Sequence, residues 1–86
     1  MIIKKEFIKR EIAGDIVLVP VGTSVFAFNG LFAMNELGSF LWDRIPEAEG
    51  EEDLLRAVLQ EYEVTEDVAR RDIQEFLGEL RKLDII

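Results

Sequence analysis

The sequence predicts an α+β domain, a small antiparallel sheet of three to four strands followed by three helices. Three observations carry that expectation. Apolar and β-branched runs fill residues 7–34, and turn signals at Gly14-Asp15, Gly22 and Asn29-Gly30 separate them. From residue 36 onward the apolar positions recur at helical spacing instead. Strands first and helices afterwards is the order of a sheet with a helix layer on one face. Eighty-six residues form one domain, 1–86, with no room for a second core.

The first strand is Phe7 to Ile12, and after Gly14-Asp15 the second is Ile16 to Val21. Pro20 has no N–H to give a ladder, so this strand ends near it or lies at an edge. Val25 to Phe28 and Leu31 to Met34 flank Asn29-Gly30, the strongest short-range hairpin signal, because both central residues must take positive φ. A two-residue turn sets Phe28 opposite Leu31 and Val25 opposite Met34. One face is then Val25, Ala27, Phe32 and Met34. The other is Phe26, Phe28, Leu31 and Ala33, and neither is polar.

Asn35 is a favoured N-cap, with Glu36 in the first turn where the helix dipole prefers an acid. Leu37, Phe40, Leu41 and Ile45 form the stripe of this helix, and Pro46 ends it. Gly38 inside it costs about 1 kcal/mol against alanine, which points to close packing. A second helix runs from about Glu51 to Tyr62. Thr65 caps a third, about Glu66 to Lys82, with the stripe Ala69, Ile73, Phe76, Leu77, Leu80 and Leu83.

Composition narrows the chemistry. The chain has no cysteine and no histidine, which removes disulfides, thiolate nucleophiles, Cys/His metal sites and histidine acid–base catalysis. No catalytic residue, metal ligand or cofactor is assigned. The pairs Glu51/Glu52 and Glu66/Asp67 stand at helix N-termini, where dipole electrostatics accounts for them. The net charge of −8 is concentrated in residues 47–67, where nine acids face Arg56 alone. Such a surface repels phosphate backbones, so nucleic acid is not expected as a partner. No apolar run reaches the length of a membrane span, and the first residues lack a signal-peptide pattern; a cytoplasmic protein is the expectation.

Three blocks together resemble a known family. They are R-E-I-A-G-D-x-V-L-V-P-V-G (Arg10 to Gly22), F-N-G (Phe28 to Gly30) and M-N-E-L-G-S-F-L-W (Met34 to Trp42). The chain resembles the PqqD-like family, small proteins related to the pyrroloquinoline quinone biosynthesis protein D. Met34 stands where that family usually has leucine. The resemblance implies a winged-helix-like fold and a role as a RiPP recognition element. Such a peptide chaperone binds the leader of a ribosomally made precursor and presents it to a modifying enzyme, often a radical SAM protein.

In such domains the leader adds as a strand beside the last strand and lies against the third helix. Carried onto this chain, that implies a peptide site at Phe26, Phe28, Leu31, Phe32, Ala33 and Met34, with Arg70, Ile73, Gln74 and Leu77 on the helix. Residues 22–30 are longer than the family's usual connection, which leaves either Leu31 to Met34 or Val25 to Phe28 as the docking strand. The expected function is therefore a non-enzymatic peptide-binding module. The competing readings are a winged-helix DNA-binding protein and an oligomerisation subunit that forms a homodimer through the apolar edge. Trp42 is expected in the core. Arg70 and Arg71 are either a solvated helix face or an anchor for acidic leader residues.

Overall fold

In a computed structural model, which describes residues 1–24 and 30–86, the first two strands form a tight hairpin. Strand β1 (Phe7–Ile12) pairs antiparallel with β2 (Asp15–Pro20), with Ile12 opposite Asp15 and Phe7 opposite Pro20. The turn is Ala13-Gly14, with φ of 52° and 86°, one residue earlier than the predicted Gly14-Asp15. Two positive φ values give the primed turn whose twist suits a hairpin. Strand β3 (Phe32–Met34) pairs antiparallel with β2 on its other side, placing Ile16, Val17 and Leu18 opposite Met34, Ala33 and Phe32. The order is β1-β2-β3, so β2 is central and ends at its proline. The expected strand Val25 to Phe28, with Asn29, lies outside the described residues.

Three helices follow, as expected: α1 (Glu36–Arg44), α2 (Glu51–Glu61) and α3 (Glu66–Lys82). The Asn35 side chain accepts the Gly38 N–H at 2.7 Å, and that of Thr65 accepts the Val68 N–H at 3.3 Å. Each bond satisfies one of the donors a helix start leaves open. Pro46 sits in a short 3-10 turn, Ile45–Glu47, that ends α1. At the end of α3, Asp84 takes a left-handed φ of 57°. The Ile85 N–H then reaches Leu80 O at 2.8 Å and the Asp84 N–H reaches Arg81 O at 3.0 Å, the two bonds of a Schellman cap. Ile85 itself lies past the end of the helix. Its side chain is fully buried, and its carbonyl accepts the Lys4 N–H at 2.6 Å, tying the two ends of the chain together.

The helices cover one sheet face. Leu18 and Phe32 point into a core completed by Leu41, Ile45, Leu54, Val58, Ile73, Leu77 and Leu80. Trp42 is buried in it, edge-on to Phe7 with ring centroids 6.1 Å apart. Lys9, on the same sheet face, reaches Asp43 at 2.6 Å and Ser39 at 2.9 Å, pinning β1 to α1.

Candidate functional site

The sheet has two outer strands among the described residues, and their edges differ in chemistry. β1 carries Lys9, Arg10 and Glu11, the kind of charge that discourages a further strand from pairing there. β3 reads Phe-Ala-Met and carries none. Its backbone pairs with β2 alone among the described strands.

Beside β3 runs a groove of about 340 Å³. Phe32, Ala33 and Met34 form one wall, and Asn35, Leu37, Gly38 and Leu41 bring the start of α1 to its floor. The opposite wall is α3, through Asp72, Glu75, Phe76 and Glu79. The Phe76 ring reaches across toward the sheet, with its centroid 6.2 Å from that of Phe32 at an interplanar angle of 61°. Gly38 makes room for it: a Cβ there would meet Phe76 Cε1 at 3.1 Å. Close packing is thus the reason for a glycine inside α1.

Apolar side chains of β3 and α1 line the groove together with three acids of α3, and its open surface is mostly polar. Asp72, Glu75 and Glu79 stand at helical spacing along one side of α3, and none of them takes part in an ion pair among the described residues. Arg70 is engaged elsewhere. Its guanidinium donates to Glu52 at 2.7 Å and lies 3.8 Å from Glu66, which ties α3 to the start of α2. Hydrogen bonding to Arg70, reinforced by its charge, holds the Glu52 carboxyl below its ordinary range and raises the guanidinium in turn.

The predicted site residues divide as follows. Phe32, Ala33 and Met34 line the groove. Leu31 precedes β3 and is 58% exposed. Phe26 and Phe28 lie outside the described residues. On the third helix, Ile73 and Leu77 are core residues and Gln74 is exposed away from the groove. Arg70 is drawn to Glu52 at the start of α2, a helix-to-helix pairing that neither reading of this arginine had named. The groove wall is the neighbouring helix face, Asp72, Glu75, Phe76 and Glu79, which sequence reasoning did not assign. Its signal was present as an i, i+3, i+4, i+7 set one residue ahead of Ile73, with acids in three of its four places.

Comparison with known proteins agrees with this architecture. Among solved structures the chain is similar to TbiB1, determined in complex with the TbiA(beta) leader peptide. The two share 25% sequence identity over 99% of this chain and 93% of that one, with a TM-score of 0.73. No curated protein matches the chain. Residues 15–86 match the family model of coenzyme PQQ synthesis protein D (PqqD), a span that includes β3, the capped start of α1 and every helix framing the groove. This chain belongs to the PqqD family.

Proposed function

We propose that this protein is a non-enzymatic module that recognises the leader of a ribosomally made precursor peptide and presents it to a modifying enzyme. The leader adds as a strand to the outer edge of β3 and lays alternate side chains into the groove against α3. The observation that carries this reading is the uncharged β3 edge running beside a groove that Met34, Leu37 and Phe76 help to line. An open edge supplies backbone partners and a groove supplies side-chain pockets, the two requirements of recognition by strand addition. TbiB1, a similar chain, was determined in complex with a leader peptide, which supports a leader as the ligand. A radical SAM protein is the modifying enzyme that fits the family. Because its substrate would be a fresh ribosomal product, the module works in the cytoplasm.

Reading α3 as a DNA-recognition helix meets a direct electrostatic objection. Its groove face presents Asp72, Glu75 and Glu79, which repel phosphates.

The test is an NMR titration with synthetic leaders of the short precursor peptides encoded next to this gene. Expected are amide shifts at residues 32–34, in the first turn of α1 and along 72–79. Binding that leaves those residues still would relocate the site. A dimer that persists at low micromolar concentration whatever peptide is added would make the β3 edge a subunit interface.

A further inference from the structure

The groove's charge says what kind of peptide it takes. Its α3 wall presents Asp72, Glu75 and Glu79, and none of the three is in an ion pair among the described residues: Arg70 is committed to Glu52 and Glu66, while Arg71, exposed on the same helix, and Lys82, which borders Glu75 and Glu79 past the end of the groove, are not paired with them. Three carboxylates along one side of a narrow channel repel one another and any acidic guest. A cation brought between them gains from all three at once.

A strand added to β3 sends every second side chain to the sheet face that Phe32 and Met34 occupy, the face on which α3 lies. The intervening side chains point to the other face, with Ala33. Resting on the strand-addition reading, we propose that the groove selects a basic extended peptide, with Lys or Arg at alternate positions turned toward the acidic wall of α3. Apolar residues on the same face sit between them on Phe32, Met34 and Phe76. The carboxylates thus act as a charge filter on a strand whose backbone pairing is indifferent to sequence.

The experiment selects random short peptides from a display library on the wild-type domain. Enriched peptides are then measured against a D72N/E75Q/E79Q variant, with amide shifts used to map where they bind. Expected is enrichment of Lys and Arg at alternate positions, together with binders that shift residues 32–34. Their affinity should fall about tenfold in the triple variant and fall again at high ionic strength, since each exposed pair contributes a fraction of a factor of ten. An uncharged binder that shifts the same residues serves as the control for folding, and its affinity should be the same in both proteins. If the enriched peptides shift 32–34 but are neutral or acidic toward α3, the charge filter is overturned and strand docking stands. If they bind without touching 32–34, the docking reading fails and the filter fails with it.

Discussion

Phe76 and Gly38 are fitted to each other across the groove: the ring edge occupies the space that any side chain at position 38 would need. The width of the channel between β3 and α3 is set at this contact.

Gly38→Ala should therefore destabilise the fold, although alanine is the better helix former. The new methyl would meet Phe76 Cε1 at 3.1 Å, and Met34 Cβ and Asn35 Oδ1 at 3.3 Å. Overpacking of this kind costs about 1–3 kcal/mol, against about 1 kcal/mol of helix propensity regained. A net loss of about 1 kcal/mol is expected in urea unfolding. Peptide affinity should fall further than stability, because the ring is pushed into the groove.

Phe76→Ala tests the same contact from the other side. Losing a half-buried ring packed edge-on to Phe32 should cost about 2 kcal/mol, below the range for fully buried aromatics. Gln74→Ala, two residues away but exposed and off the groove, should change neither unfolding midpoint nor peptide affinity. Equal effects at the two positions would remove Phe76 from the groove wall.

Ala13→Asn should stabilise the protein. Alanine holds a left-handed φ of 52° here, a conformation that costs an L-residue about 1–2 kcal/mol and that asparagine tolerates. The substitution converts the turn to Asn-Gly, the preferred pair for this geometry. A gain of about 0.5–1 kcal/mol is expected, with β1–β2 pairing unchanged in amide exchange.

Two carboxylates link stability to acid. Glu52, through Arg70, and Asp84, through Lys4 first and then Lys5, are held in the folded protein below their ordinary values of 4.5 and 3.8. A group whose folded pKa is depressed contributes stability that is present above its unfolded pKa and lost as pH falls through the folded one. The thermal midpoint should accordingly be level near neutrality and decline below about pH 4.5. Arg70→Met should return the Glu52 carboxyl toward its ordinary value in an NMR titration while leaving Asp84 where it is.

Apart from the expected strand Val25 to Phe28, which lies outside the described residues, the elements and their order were legible because their signals are local. Asn35, Thr65 and Pro46 mark helix boundaries through their own backbone chemistry, and the structure places those boundaries where these residues stand. The first turn moved by a residue because Ala13 accepts a positive φ that its side chain does not announce. The groove wall was harder to read. Which side of α3 turns to the channel depends on how the helix rolls against the sheet. One residue of roll separates Ile73 and Leu77, sealed in the core, from Asp72, Phe76 and Glu79 beside the groove. Phe76 belongs to both sets, since its ring spans from the core stripe to the groove. Arg70 was open to two readings because its partner, Glu52, is 18 positions away in the chain.

The length of β3 sets a ceiling on how firmly anything can be held. Three residues offer an incoming strand only a few backbone hydrogen bonds, each contributing about 0.5–1.5 kcal/mol net, against an association cost of at least about 4 kcal/mol. Main-chain pairing alone therefore cannot retain a guest for long. Residence time is left to side chains in the groove, and a ligand held in that way exchanges quickly. Under the proposed handover to a modifying enzyme, a short strand is a release mechanism.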